Sequence, residues 1–380
     1  MLLGMITKPP IKVLDYSYQL VRIFENFFID YDTPETAEGI YDIIYLHRAE
    51  TQDNFDDVIK YANSDSKFII DITTESGNLQ SFLDSFKILT DLHPYKFYLI
   101  VDSDVSSYLS NVNVNYKTIQ GFELMFYAFT NPHSDSIIKL TRKKDFKFSN
   151  GYMSFNGNLR IQRIMLLLEL LKSGISMENA SFLFYMNTSD GYKFLRDEYD
   201  IMLNSMKDSE LINDNDFQIL KTTSVPKILD YDYSEPNRNF NILNDLYKYP
   251  LNFITENVTG LAKGDESPYG MITFTEKTIK PFLAHQLPMI FGVYGLNPKL
   301  RELGFDLFDD FINHSSYENI KNPKIRLSKM ILELKRVLEL DILEYHTNNK
   351  NRFLNNYIRV YELANKGFDI LNNFRKTTLL

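Results

Sequence analysis

The sequence predicts an α/β protein of two parallel-sheet units followed by a helical tail, on three observations. Short apolar runs alternate with amphipathic segments through residue 102, and the alternation restarts near residue 152. The stretch 324–380 then carries apolar positions at three- and four-residue spacing, the period of a helix facing a core. Continuous apolar strands separated by helices indicate sheets covered on both faces.

Taken in order, YDIIYLHRA (41–49) reads as a buried strand and DNFDDVIKYANS (53–64) as a helix. KFIIDIT (67–73) is a second strand. NLQSFLDSFKILTDL (78–92) is a helix with Leu79, Phe82, Leu83, Phe86 and Leu89 at helical spacing, and KFYLIVD (96–102) is a third strand. A charged stretch, KLTRKKDFKFSNG (139–151), reads as a linker. YMSF (152–155) is then a strand, IQRIMLLLELLKSG a helix closed by Gly174, SFLFYM (181–186) a strand, and a helix is expected near 192–206. The polar stretch 207–240 carries few periodic signals. LNFITEN (251–257) is a strand. GMITFTEKTIKPFLAHQLPMIFG adds strand–helix–strand, from Met271–Phe274 through an amphipathic helix to Leu287–Phe291 and Gly292. Two Rossmann-like domains facing a cleft follow, with ligands expected outside the carboxyl ends of the strands.

Composition limits the function. A chain of 380 residues suits two domains of roughly 150–200 residues each. With 44% hydrophobic and 24% charged residues a folded chain is expected rather than a disordered one. The absence of cysteine excludes disulfides, thiolate metal sites and a cysteine nucleophile. A net charge of -9 argues against coating nucleic acid but leaves room for a local basic groove. The opening MLLGMITKPP is too briefly apolar for a secretory signal, and IMLLLELLKSG is broken by Glu169 and too short for a membrane span. A soluble cytoplasmic protein is expected. The sequons at Asn179, Asn187, Asn257 and Asn313 are read as chance in an Asn-rich chain.

Several short stretches carry chemistry. Thr273-Phe-Thr-Glu276 fits a capping box, with Glu276 closing back on the helix start and Lys277 solvated. The same helix start, following a strand, also suits a phosphate, with Lys277 adding a charge-assisted contact and Glu276 free for a ribose diol. In SFNGNLRIQR (154–163), Asn156-Gly157-Asn158 is a turn signal, and Arg160 and Arg163 fall three apart on one helix face. Arginine opposes the dipole at a helix start, so the pair wants an anion such as a diphosphate. Asp102 and Asp104 after the third strand could hold a divalent cation, or Asp104 could simply cap a helix. Asp71 and Glu75 lie around the carboxyl end of the second strand as candidate general bases. The six histidines lack metal-ligand spacing, and His285 is read as structural. No Walker A or GxGxxG motif is present.

The segment ITFTEKTIKPFLAHQLPMIFG is similar to the donor-binding segment of the α1,3-fucosyltransferases, and NFITEN (252–257) resembles the Glu-containing strand that precedes it there. The chain more closely resembles glycosyltransferases of phages and giant viruses, through Asn156 with Arg160 and Arg163, the TEK segment, and LRELGFDLFDDF (300–311). The likeness covers roughly 152–315. It implies a GT-B fold: an acceptor domain at 1–148, a nucleotide-sugar donor domain at 149–335, and helices 336–380 packing back toward the first domain. It implies that Glu276 contacts the ribose and that Lys277, Arg160 and Arg163 hold the diphosphate, with Glu256 and Thr275 in the same donor site. Gln162 stands where such proteins often carry His.

The expected activity is therefore transfer of a hexosyl, pentosyl or fucosyl group from a nucleotide-diphosphate sugar to a hydroxyl. The acceptor would be a glycan or a hydroxymethylated pyrimidine in phage DNA, the latter in a host cytoplasm. Cations would stabilise the leaving diphosphate, no metal or other cofactor being expected, and Glu75, then Asp71, would deprotonate the acceptor. Two alternatives are a metal-dependent GT-A-type transferase using Asp102 and Asp104, and a non-catalytic nucleotide-sugar-binding protein.

Overall fold

The computed structural model describes residues 12–15, 30–32, 36–47, 59–71, 96–101, 116–120, 126, 148–178, 180–188, 191–225, 247–256, 259, 261, 272, 275–374 and 376. Among them are two sheets and eight α-helices. The chain divides into one unit of Met1–Ile137 with Tyr361–Leu380 and another of Ile138–Val360. The boundary falls before the charged stretch, and of the C-terminal helices residues up to 360 belong to the second unit and 361–380 to the first. A single long helix, Lys350–Phe374, carries the chain through that boundary, so no break in hydrophobic period marks it.

The first unit holds a six-stranded sheet: β1 (Lys12–Asp15), β2 (Asp30–Asp32), β3 (Ile43–His47), β4 (Lys67–Asp71), β5 (Lys96–Val101) and β6 (Tyr116–Gln120). Every pairing is parallel and the order is β2-β1-β3-β4-β5-β6. The three apolar runs read as strands are β3, β4 and β5; β1, β2 and β6 are further strands. Consecutive residues Phe68, Ile69 and Ile70 are all buried, which requires cover on both faces of the sheet. Both helices expected in this unit lie outside the described residues apart from residues 59–64.

The second unit holds a five-stranded sheet of order β11-β10-β7-β8-β9, from β7 (Tyr152–Asn158), β8 (Ala180–Thr188), β9 (Gly191–Phe194), β10 (Leu251–Thr255) and β11 (Leu287–Phe291). It is parallel except for β9, which pairs antiparallel to β8. The helix expected near 192–206 thus starts later: Gly191–Phe194 closes a hairpin, and α2 (Arg196–Asp208) follows. α3 (Asp214–Thr222) occupies the stretch that lacked a periodic signal. It is short, and Asn213 caps it by accepting from Asp216 N.

Strand alternation splits this unit into two packed layers. Tyr152, Leu251, Phe253, Leu287, Met289 and Phe291 share one core with residues of α1 (Ile161–Ser173) and α6 (Pro323–Leu338). Met153, Ile254 and Ile290 alternate with them onto the other face, where α4 (Glu276–Leu283) packs on β10 and β11 with Ile279, Phe282 and Leu283 buried. At the far end of α4, Gln286 accepts from Asn252 Nδ2 (2.9 Å) and donates to Tyr249 O (2.7 Å).

α5 (Leu296–Glu302), α7 (Ile342–Asn348) and α8 (Lys350–Phe374) complete the helices. The acids of LRELGFDLFDDF are spent on structure. Asp306 and Asp310 both receive the Arg352 guanidinium. Asp309 is held well below the usual carboxylate range by hydrogen bonds from His314 and Arg301. Asn356 clasps the Asp306 backbone in both directions. Among the described residues no helix is long and apolar enough to cross a membrane.

Two stability predictions follow from this packing. Gly304 has φ +91°, and a Cβ there would lie 2.8 Å from Arg359 Nε, which donates to Leu303 O. Gly304→Ala should therefore cost about 1–3 kcal/mol in urea unfolding. Burial, reinforced by the neighbouring His346, pushes the His285 pKa down from 6.5 to about 4. Its folded state resists protonation, so this stabilisation is present above pH 6.5 and is lost as pH falls from 6.5 toward 4. His285→Asn, which suits the positive φ of 54° there, should flatten the urea-midpoint slope across that window relative to wild type.

Candidate functional site

The chain leaves β7 outward to β8 and β9, then returns to place β10 and β11 on the other side of β7. The sheet therefore changes direction between β7 and β10. In open α/β sheets such a switch point opens a crevice at the carboxyl ends of the strands, because the helices after the two strands run off to opposite faces. Here β7 and β10 share register only at Tyr152↔Leu251 and Met153↔Asn252. β7 then shifts register against β8 between Asn156 and Asn158, so the Asn156-Gly157-Asn158 signal marks an irregularity inside a strand that runs on to residue 158.

Glu256, the residue after β10, ties the two sides of this switch point together. Its N–H donates to Phe291 O (2.9 Å), extending the ladder to β11. Its carbonyl accepts from Gln162 Nε2 (3.2 Å) in the first turn of α1. Its carboxylate reaches the start of α4, accepting from Thr275 N (3.1 Å), Thr275 Oγ1 (2.8 Å) and Thr278 Oγ1 (2.6 Å). Glu256 is 1% exposed, so these donors replace the water its carboxylate loses on folding.

This arrangement corrects the expected capping box. α4 starts at Glu276, and its cap is Thr275, not Thr273. Thr275 Oγ1 accepts from Lys277 N (3.3 Å) and Lys277 Nζ (3.1 Å). The glutamate that closes back on the cap residue's N–H is the residue just after strand β10, 19 residues earlier, rather than position N3. Local spacing cannot reveal such a partner. Thr278 escaped notice for the same reason, although its place one helical turn after Thr275 puts the two on one face.

At α1 the two arginines part company. Arg160 is the cap residue, extended at φ −151° and ψ 146°, with no side-chain cap bond and no acidic residue in the first turn. It is half-buried. Arg163 is 3% exposed, and its Nη1 donates to Asn158 O (2.8 Å), holding the shifted end of β7. Only Leu159 and Arg160 separate β7 from α1, and this short connection carries the next turn of the helix inward.

Gly292 ends β11 where a Cβ would lie 3.7 Å from Glu256 Cβ and 2.5 Å from Leu296 Cδ2. Arg326 on α6, 4% exposed, donates to Gly292 O (2.8 Å) and Thr259 O (3.1 Å), fastening the segments that leave β11 and β10. Burial lowers its pKa to about 10.

Arg160, Arg163, Glu256, Thr275, Glu276 and Lys277 thus all lie at the carboxyl edge of one sheet, around one switch point. Asp71 is the last residue of β4 in the first unit, and Glu75, Asp102 and Asp104 lie outside the described residues. Among the described residues no cluster of His, Asp or Glu could hold a metal ion. No protein-family model matches this chain, and no curated protein or solved structure matches it.

Thr278→Val keeps the side-chain shape and removes one buried bond to the Glu256 carboxylate. It should cost about 1–3 kcal/mol in urea unfolding, and Thr278→Ser should recover most of it.

Proposed function

We propose that the second unit binds a nucleotide-diphosphate sugar in the β7–β10 crevice and that the chain is a GT-B-type glycosyltransferase. The observation that carries this reading is the convergence of two helix starts and two cationic side chains, Arg160 and Lys277, on one topological switch point. Helix starts present backbone N–H groups and the positive ends of helix dipoles, although at α4 Glu256 and Thr275 already take part of them, and the cations add charge for a diphosphate. Glu276, the first residue of α4, takes the ribose hydroxyls in this reading. The likeness to glycosyltransferases in the same segments points the same way.

In the proposed reaction the acceptor oxygen forms a bond to the anomeric carbon of the donor. The bond from that carbon to the diphosphate oxygen breaks, and its electron pair leaves with the nucleoside diphosphate. Arg160 and Lys277 stabilise the charge that develops on this leaving group. The acceptor proton passes to a carboxylate, Glu75 as first choice and Asp71 as second. The acceptor is a hydroxyl compound, either a glycan or a hydroxymethylated pyrimidine in DNA; a DNA acceptor would call for a basic groove and a flipped base. With cations at the leaving group, the reaction is proposed to run without a metal.

A thermal-shift screen of UDP-, GDP-, ADP-, CDP- and dTDP-sugars should reveal one stabilising donor class, and its hydrolysis should persist in EDTA. Lys277→Ala and Arg160→Ala should each lower kcat/KM about 100-fold or more while the fold is kept. Full activity in both variants would sink the scheme, as would strict manganese dependence. Donor binding without transfer or hydrolysis would instead identify a binding protein.

A further inference from the structure

Beyond the end of β11, a cavity of about 10 Å³ lies between the start of α5, residues 317–318 and α6, and it opens into about 250 Å³ of space that reaches solvent. A cavity of the smaller size admits one water-sized guest. Ile290, Val293 and Met330 give it apolar walls. Three polar side chains on its lining are almost fully buried: Asn297 is 6%, Tyr317 1% and Arg326 4% exposed. Among the described residues the Tyr317 hydroxyl has no hydrogen-bond partner, and neither has the Asn297 side-chain amide. Arg326 donates through Nη1 to Ile320 O and Lys321 O and through Nη2 to Thr259 O and Gly292 O, while its Nε–H meets no acceptor among the described residues. Carbonyl dipoles alone thus face its charge, and Tyr294 is the one ionisable group that bears on it. A buried charge is ordinarily paired.

The acids around Tyr317 do not supply the missing counter-charge, because each has a cation of its own. Glu318, which also lines the cavity, lies 2.8 Å from Arg301 Nη1. Asp309 is held by Arg301 and His314, and Glu333 by Arg336. Arg326 is the surplus charge. We infer that this cavity is a binding site for a small monovalent anion such as chloride, held by Arg326 with the hydroxyl of Tyr317 and the amide of Asn297. All three groups can turn a donor toward the guest, and the guanidinium repels a cation. The size of the cavity admits a single-atom anion and excludes a phosphate. Arg326 also fastens Gly292 O and Thr259 O, so a bound anion steadies the segments that leave β11 and β10. The inference is independent of the nucleotide-binding reading.

The test is urea unfolding of the full chain in sodium chloride against sodium gluconate at constant ionic strength, gluconate being too large for the cavity. The wild-type midpoint should rise with chloride and saturate, as expected for a ligand that binds only the folded state. Tyr317→Phe keeps the ring and removes the hydroxyl. Tyr317→Phe and Asn297→Ala should each weaken the apparent chloride affinity about tenfold, the scale of one hydrogen bond to a charged group. In gluconate Tyr317→Phe should match or exceed wild type, because it deletes a buried hydroxyl that has no partner there. A hydroxyl with a merely structural role would instead be missed equally in both salts. In a crystal soaked in sodium bromide, anomalous density should appear within hydrogen-bond reach of Tyr317 Oη. Equal wild-type midpoints in the two salts would mean that the cavity holds water only, and would overturn the site. A chloride effect that both variants keep in full, or bromide bound only elsewhere, would overturn it as well.

Discussion

A single buried carboxylate, that of Glu256, joins the parts of the second unit that have to meet. Its backbone continues the β10–β11 ladder, its carbonyl takes the first turn of α1, and its side chain holds the first turn of α4. A carboxylate stripped of water is costly unless donors surround it. Here the three donors come from residues 275 and 278, so the cost is offset only when α4 starts where it does. The position of the helix and the tolerance of the buried charge are one condition.

The same economy governs the neighbouring side chains. Arg163 and Arg326 are both cations turned inward, and both donate to backbone carbonyls at or beyond the ends of strands. They shape the edge of the sheet, and Arg160 and Lys277 beside the same strand ends are half-buried. Likewise the aspartates of the 300–311 segment are bound by Arg301, Arg352 and His314. A charged residue in a recognisable segment can thus serve the scaffold, and its sequence neighbours the site.

Much of the scaffold was legible in the sequence. Buried parallel strands are continuous apolar runs, and for that reason β3, β4, β5, β10 and β11 were read close to their limits. α1 was legible from its apolar periodicity and its closing glycine. The four residues of β9 are too few to establish a period and read as part of a helix, and the nine residues of α3 make little more than two turns and leave no clear periodic signal. Around the switch point, Arg160, Glu256 and the Thr-Glu-Lys segment are legible in the sequence as charged residues beside strand ends and a helix start. Their contacts are not, because the glutamate that closes the α4 cap lies far away along the chain.

By itself, the sequence determined the α/β class, the residues able to carry charge at strand ends, and the absence of cysteine chemistry. These follow from side-chain type and local period. Only the tertiary structure decided the strand order that creates the switch point, the inward turn of Arg163, and the capture of the α4 start by Glu256. Each depends on which distant segments become neighbours, and that is settled by how the faces of sheet and helix pack rather than by any local spacing.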